Sequence, residues 1–310
     1  VRCVGEPAAM VVADDPYVAE DAAELVQVDY EPLPAIVTMQ AARAADAPPL
    51  FEGWKDNRYV ERVMEGGDLA AAKAAAARVV RRTYRTHRQA GVPMECRGVL
   101  AMLEPNGADL TVWASTQIPH LLRTYLASEL GWPENRLRGA APDVGGGGGV
   151  KAHVFVEEIA VAWLATELGR PVKWVEDRRE HLVASIHARD HEHTLTAYLD
   201  GEGRILGLEA DITVDAGAYP AWPWTAGGEP GMAAKVLPGP YDITAYHATY
   251  RSVATNKCPL GTYRGVARPS AVFSLERLMD DIAVELGLDP IELRLRNVVR
   301  AFPYKNVLGF

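Results

Sequence analysis

The sequence contains only three cysteines, Cys3, Cys96 and Cys258, among its 310 residues. They lie too far apart in the chain to match the spacing of an iron–sulfur or zinc motif. An odd and sparse cysteine count suits a reducing compartment, so we expect a cytoplasmic protein. No apolar run reaches the length of a membrane span, and the N-terminus lacks the basic and apolar regions of a signal peptide.

Positive charge is also in short supply. There are 32 lysines and arginines against 41 aspartates and glutamates, which gives a net charge of -9. This balance argues against a general nucleic-acid surface, while a local basic patch remains open. The length is sufficient for two domains. Because the chain opens on Val1 inside strand-like sequence and closes on Phe310 without a capped element, we expect a piece of a longer protein.

Hydrophobic patterning predicts a small α/β unit over residues 1–45. It consists of a strand at 8–13, a helix at 16–24 and a second strand at 26–30, which prolines terminate. Residues 46–66 are rich in proline, glycine and charge and are predicted to be a linker.

Residues 67–310 contain segments with helical periodicity and segments with the alternation typical of strands, without a regular strand–helix repeat. This mixture predicts an α+β fold rather than a doubly wound sheet. Asp68 is a good N-cap, and Gly131, Gly169 and Gly287 are placed as C-caps. The helices are predicted at 69–79, 119–130, 153–168 and 271–286, and the strands at 83–87, 98–102, 109–114, 194–199 and 205–215.

Five consecutive glycines precede Val150 and Lys151: Gly145, Gly146, Gly147, Gly148 and Gly149. Such a run is costly to order. It indicates either a close backbone approach to a phosphate-bearing cofactor, with a helix N-terminus behind it, or a flexible loop. The run is not a P-loop, because the lysine is not followed by serine or threonine.

Each of three polar clusters allows two interpretations. Ser115 and Thr116 are the favoured caps of the 119–130 helix, whereas Gln117 can aim its amide at a ligand. His191 and His193 would share one face of a strand, and we favour a solvated strand edge with ion pairs over a metal site. Arg264, in a glycine-lined turn, either grips an anionic group or caps neighbouring carbonyls.

Taken together, the segments resemble the molybdenum-binding large subunit of the xanthine dehydrogenase, aldehyde oxidase and carbon monoxide dehydrogenase family. The resemblance runs in the family's order over essentially the whole chain. The segments that carry it are Gly5–Pro7, Val28–Pro34, Met94–Gly98, Ser115–Gln117, the glycine run, Glu176–Arg178 and Tyr263–Gly265. It implies the end of an α/β hammerhead domain over residues 1–45 and the first of two molybdopterin-binding domains over 67–310, with the second one absent.

The resemblance also implies a function and a site. The family hydroxylates an aldehyde or an aromatic N-heterocycle oxidatively at a molybdenum–pterin centre, usually with a cytosine dinucleotide in bacteria. By matching motif, Gln117 would bond an oxo ligand, Gly145–Gly149 would pack beside the cofactor, and Arg264 would orient substrate and stabilise developing charge. No residue is assigned as a metal ligand. Electrons would pass to an iron–sulfur small subunit and an FAD-binding medium subunit of a dimerised hetero-oligomer.

Three departures from the family pattern are visible. Gly148 stands where the family usually has phenylalanine, Ala152 stands where some xanthine-oxidising members have glutamate, and the loop from Tyr263 to Arg268 lacks the cysteine of carbon monoxide dehydrogenases. The family's general-base glutamate lies beyond Phe310. We therefore expect this chain alone to be inactive. The alternative is a non-catalytic subunit that keeps the scaffold.

Overall fold

A computed structural model describes residues 1–310 and contains nine α-helices and eleven strands. The helices are α1 Pro16–Glu24, α2 Met39–Ala42, α3 Leu69–Ala75, α4 Pro119–Leu130, α5 Val156–Leu168, α6 Arg178–Ala184, α7 Gly228–Val236, α8 Arg268–Leu286 and α9 Pro290–Asn297. The strands are β1 Arg58–Gly66, β2 Arg78–Thr86, β3 Gln89–Ala90, β4 Gly98–Leu103, β5 Leu110–Ala114, β6 Leu137–Ala140, β7 Val172–Val175, β8 His187–Ala188, β9 His191–Leu199, β10 Ile205–Gly217 and β11 Tyr246–Ala254. None of the helices combines the length and apolarity needed to cross a membrane.

The larger layer is a five-stranded sheet in the order β1-β11-β10-β9-β2. Its only parallel pair is β10 with β11, and the other pairs are antiparallel. Helices α7 and α8 cover this sheet and share with it a core of 25 buried residues, which includes Leu208, Ile212 and Leu278. This arrangement places α8 and the turn that precedes it against the sheet.

A second, four-stranded sheet has the order β6-β5-β4-β7 and is covered by α4 and α5. Its core holds 13 buried residues, among them Val112, Leu126 and Ala162. Every second side chain of β4 and of β5 points towards this core, so apolar residues recur at every second position. The α+β class predicted from the sequence is confirmed by these two mixed layers.

The N-terminal residues differ from the prediction in one respect. Helix α1 forms as expected and is capped by Asp15, whose carboxylate accepts from the Tyr17 N–H at 2.9 Å. The strands predicted at 8–13 and 26–30 are wrong, because neither segment joins a sheet. An extended segment needs a hydrogen-bonded neighbour to be a strand, and the chain supplies none there. Their apolar side chains Val12 and Val28 are correspondingly exposed.

Element ends elsewhere follow tertiary pairing more closely than propensity. Helix α3 is capped by Asp68 but ends at Ala75, not at 79, because Val79 and Val80 are paired with β9. Residues 58–66, within the segment predicted to be a linker, form the edge strand β1. Helix α5 starts three residues later than predicted and α8 three residues earlier. The glycines after α4, α5 and α8 are left-handed C-caps as expected.

A buried ion-pair network ties β4 to the layer around α5 and α6. The Arg97 guanidinium donates to Glu176 from Nε at 2.9 Å and from Nη2 at 2.6 Å, and also to Glu157 at 3.2 Å. It lies 3.7 Å from the centre of the Phe155 ring. His181 faces the other Glu176 oxygen at 2.8 Å and the Gly91 carbonyl at 2.7 Å. The network therefore fixes the chain from 91 to 97.

The same network makes stability depend on acid. Burial raises the pKa of Glu176, but the hydrogen bonds from His181 and Arg97 and the arginine's charge outweigh it and lower the pKa to about 2, from 4.5. A carboxyl whose pKa is lower in the folded than in the unfolded protein stabilises the fold when the pH is above its unfolded-state pKa. This stabilisation is lost as the pH falls from about 4.5 towards 2. Glu176→Gln should therefore cost on the order of 2–3 kcal/mol at pH 7, and the deficit should shrink below pH 4.5.

Urea unfolding of both proteins between pH 7 and pH 3 measures this difference. Glu167→Gln is the matched control, since Glu167 is exposed on α5 and makes no hydrogen bond. A deficit of the same size at every pH would contradict the assignment of the effect to ionised Glu176.

Candidate functional site

The glycine run meets Gln117 through its backbone. The Gln117 carbonyl oxygen Oε1 accepts from the Gly149 N–H at 2.8 Å, and the Gln117 N–H donates to the Lys151 carbonyl at 2.9 Å. Accepting from an N–H fixes which way the side-chain amide points. Its Nε2 group, on an exposed side chain, consequently keeps both donors free of partners within the chain.

This contact requires residues without side chains. A Cβ on Gly147 would overlap with Gln117 Oε1, and one on Gly149 would lie 2.8 Å from the Thr262 carbonyl oxygen. Gly149 also has a φ of 102°, which other residues rarely adopt. The run is therefore an ordered structural loop, and the reading as a flexible segment is wrong for this part of it. The backbone N–H groups of Gly147 and Gly148 donate to no acceptor in the chain.

Glu95 anchors the first residue of the run. Its Oε2 accepts from the Gly145 N–H at 2.9 Å, from Ser115 Oγ at 2.6 Å and from Lys151 Nζ at 2.6 Å, while the Glu95 N–H donates to the Gly145 carbonyl at 3.0 Å. Lys151 is only 1% exposed, so Glu95 is the counter-ion of a buried ammonium. Burial raises the pKa of Glu95, but these three donors outweigh it and hold the pKa below its usual value.

A neutral histidine joins the glycine run to the segment before α8. Burial lowers the pKa of His153 to about 4, so the ring is uncharged at neutral pH. Its Nε2 accepts from the Thr262 N–H at 3.1 Å, which leaves Nδ1–H to donate to the Ala221 carbonyl at 3.2 Å. Thr262 Oγ1 in turn donates to the Gly149 carbonyl at 2.8 Å. These bonds hold the Tyr263–Val266 turn beside the glycines.

The Tyr263–Val266 turn itself is conformationally strained. Gly265 has a φ of 93° and Val266 a φ of 53°, and a β-branched residue at positive φ is an outlier that its surroundings must enforce. The Val266 N–H donates to the Tyr263 carbonyl at 2.6 Å. Arg264 is exposed, and its guanidinium makes no hydrogen bond or ion pair within the chain. A Cβ on Gly148 would lie 3.3 Å from the Tyr263 ring.

The structure thus brings together the three segments singled out in the sequence. Gln117, the glycine run and the turn that carries Arg264 contact one another through Gly147, Gly148 and Gly149. What they offer in common is unpartnered donors: an amide NH₂, two backbone N–H groups and a guanidinium. Such a set can bind electronegative oxygen or nitrogen atoms and stabilise developing negative charge.

Two expectations about helix termini are corrected. The helix behind the glycines does not present its N-terminus to them, because α5 begins only at Val156 and its first turn carries Glu157 and Glu158. Glu158 already accepts from the Phe155 N–H at 2.9 Å. The N-cap of α4 is Ile118 without a side-chain cap, so Ser115 and Thr116 are not its caps.

The histidine pair lies far inside the protein. His191 and His193 do share a face of β9, but β9 is an inner strand and both rings are at most 1% exposed. His191 Nδ1 and His193 Nε2 are 3.0 Å apart, and their outer nitrogens face Glu229 and Ser274. The prediction of a solvated strand edge is therefore wrong. No cluster of three or more potential metal ligands is formed.

Sequence reasoning gave no role to Glu95, His153 or Thr262. Glu95 appears in the Met94–Gly98 segment that carries the family resemblance, but it lies 50 residues before the glycine run, so nothing in the sequence indicated that the two meet. His153 and Thr262 left no signal of their own, because their roles depend on a contact across 109 residues.

Substitution of Glu95 should loosen the glycine run. Glu95→Gln removes the counter-charge of buried Lys151 and weakens three hydrogen bonds, so we expect amide exchange at Gly145–Gly149 to accelerate by about tenfold or more. Hydrogen–deuterium exchange by mass spectrometry measures it. Glu129→Gln, at an exposed position on α4 without hydrogen bonds, is the control. Unchanged exchange in Glu95→Gln would show that this carboxylate does not hold the loop.

Comparison with known proteins places this geometry in a family. Residues 50–298 match the molybdopterin cofactor-binding domain, and residues 1–34 match the α/β hammerhead domain of aldehyde oxidase and xanthine dehydrogenase. The chain is 42% identical over 311 residues to the nicotine 6-hydroxylase large subunit of Paenarthrobacter nicotinovorans, covering all of this chain and 38% of that protein. It is 35% identical to the carbon monoxide dehydrogenase large chain of Hydrogenophaga pseudoflava, covering 97% of this chain and 40% of that one.

A solved structure agrees with these matches. Quinoline 2-oxidoreductase from Pseudomonas putida 86 superposes with a TM-score of 0.91 at 39% identity, covering 96% of this chain and 38% of that one. The chain thus spans about two-fifths of the length of the relatives that it matches. It belongs to the molybdenum-binding large subunits of the xanthine dehydrogenase, aldehyde oxidase and carbon monoxide dehydrogenase family of molybdopterin-dependent oxidoreductases.

Proposed function

We propose that this chain is the part of a molybdenum hydroxylase large subunit that holds the metal-facing side of the cofactor. The proposed reaction is oxidative hydroxylation of an aromatic N-heterocycle or an aldehyde, with electrons passed to partner subunits. The observation that carries the proposal is the meeting of Gln117, the glycine run and the Arg264 turn, each with unpartnered donors.

The residues present fit a molybdenum–pterin cofactor. When bound, that group supplies the two-electron oxidation and the oxygen that is inserted. Gln117 is already oriented by Gly149, so its free Nε2 would donate to an oxygen ligand of the metal without reorganisation. The unpaired N–H groups of Gly147 and Gly148 would contact the same group, and Gly145, Gly146 and Gly149 would line it through their backbone. The absent side chains of Gly145 and Gly149 let the run approach Glu95 and Thr262, which hold it in place.

Arg264 would act on the substrate. Its guanidinium has no hydrogen-bond or ion-pair partner in the chain and belongs to a turn fixed through Thr262 and His153. A fixed cation beside the reacting carbon stabilises negative charge that develops on the ring nitrogen or carbonyl oxygen of the substrate. In this role the guanidinium would stabilise the transition state more than it would bind the ground-state substrate.

Sequence differences favour an N-heterocycle over carbon monoxide or a purine. The 42% identical relative is a nicotine 6-hydroxylase subunit and the structural neighbour at a TM-score of 0.91 is a quinoline oxidoreductase. Gly148 replaces the family's usual phenylalanine, and the Tyr263 ring lies against its bare backbone, where a Cβ would be only 3.3 Å from the ring. Ala152 stands where some xanthine-oxidising members have glutamate, and the Arg264 turn has no cysteine to bind copper.

The remaining assignments follow from the same proposal. We assign the cytosine dinucleotide form of the cofactor and a cytoplasmic, dimerised hetero-oligomer. We also propose the division into residues 1–45, 46–66 and 67–310, with the qualification that the middle segment is a linker only as far as β1, which is part of the large sheet. Because the three cysteines are free and widely spaced, electrons would leave through an iron–sulfur subunit and an FAD-binding subunit. A non-catalytic subunit that keeps only the scaffold, without a working centre, is the second candidate, favoured by the loss of the aromatic at Gly148.

The test compares the full-length holoenzyme with its Arg264→Ala variant. Purified protein should contain molybdenum and release a cytosine nucleotide on acid hydrolysis, and it should oxidise quinoline, nicotine or benzaldehyde with an artificial electron acceptor. Arg264→Ala should lower kcat by about 10²–10³-fold with unchanged molybdenum content, because the guanidinium acts in the transition state.

Arg62→Ala is the matched control, since Arg62 is exposed on the edge strand β1 and makes no side-chain bond. Absence of bound molybdenum together with no turnover on any probe would favour the non-catalytic scaffold. Wild-type turnover in Arg264→Ala would remove the catalytic role of that residue.

A further inference from the structure

Arg189 occupies a strained position beside the turn that carries Arg264. It lies between β8 and β9 with a φ of 62°, and only one other non-glycine residue, Val266, has a positive φ. Arginine in this conformation is strained and persists only where its surroundings enforce it. Arg189 and Val266 thus belong to the two segments that contact each other here.

Both terminal nitrogens and the face of the Arg189 guanidinium have partners in this region. Nη2 donates to the Arg264 carbonyl, and Nη1 donates to Gln89 Oε1 at 2.8 Å. The guanidinium carbon lies 4.7 Å from the centre of the Tyr263 ring, within the range of a cation–π interaction. The Nε atom is buried without a partner, which shows that the guanidinium is held for these contacts at the expense of its own solvation.

The backbone around Arg189 is rigid enough to act as a support. The His187 N–H donates to the Pro259 carbonyl at 2.9 Å, and the Gly261 N–H donates to the His187 carbonyl at 2.8 Å. Asp190 is 1% exposed, and its carboxylate accepts a hydrogen bond from Lys257 Nζ at 3.1 Å. Arg189 thus extends from a segment that is itself bonded to the chain just before Thr262.

We propose that Arg189 is a positioning residue that sets the Tyr263–Arg264 turn and hence the place of the Arg264 guanidinium. The proposal rests on the function proposed for Arg264. The Arg264 side chain makes no hydrogen bond or ion pair within the chain, so the place of its guanidinium is set first by its backbone. Arg189 is the side chain that bonds the backbone of Arg264 and stacks on Tyr263. Lysine cannot replace it, because an ammonium lacks the planar fork that serves both contacts.

A double-mutant cycle in the full-length holoenzyme tests this, with quinoline and benzaldehyde as probes. Arg189→Ala should lower kcat by about tenfold with unchanged molybdenum content, and Arg189→Lys should recover little of it. In the Arg264→Ala background, Arg189→Ala should change kcat by less than about twofold, because its effect acts through Arg264. A full additional loss in that background would overturn the proposal.

Hydrogen exchange gives a readout that does not depend on turnover. Amides at 262–267 should exchange faster in Arg189→Ala than in the unsubstituted enzyme, whereas Arg62→Ala should leave both exchange and kcat unchanged. Unaltered exchange at 262–267 in Arg189→Ala would also overturn the proposal. If Arg264→Ala alone leaves kcat intact while exchange at 262–267 responds to Arg189→Ala, the proposed function of Arg264 fails and the positioning of the turn by Arg189 stands.

Discussion

The site depends on a close approach of bare backbone to two other segments at Gly147–Gly149. One side of this stretch is bonded to Gln117 and the other to Thr262, and either contact would be lost if a Cβ were present. Because these contacts replace side-chain packing, the loop gives up the conformational freedom that five glycines would otherwise retain. The outcome is a rigid surface on which donors of three separate segments stand unpartnered.

Charges buried around this surface are compensated by specific partners. Lys151 is neutralised by Glu95, and Arg97 by Glu176 and Glu157, while His153 stays uncharged because it is buried. Each pair connects the chain before β4 to the glycine run or to the helices behind it. Arg264, whose charge has no counter-ion within the chain, is consequently the charged group of the site that is available to a ligand. This division separates the residues that hold the loops from those that would meet a ligand.

Much of this could be predicted from the sequence, and the failures have physical causes. Capped helices such as α1, and the C-cap glycines 131, 169 and 287, are local features and were predicted correctly. The residues that converge were identified by motif order. The strands at 8–13 and 26–30 failed because strand formation needs a partner. The histidine pair failed because burial of β9 depends on sheet order, and the roles of Glu95 and His153 depend on contacts distant in sequence.

The most direct test of the central claim is the position of molybdenum in crystals of the full-length protein. Anomalous scattering at the molybdenum absorption edge locates the metal independently of any interpretation of the chain. We expect a peak about 4–5 Å from Gln117 Nε2, the length of one hydrogen bond plus one metal–oxygen bond, and beside the Gly147 and Gly148 N–H groups. A peak elsewhere, with Gln117 and Arg264 away from it, would contradict the account.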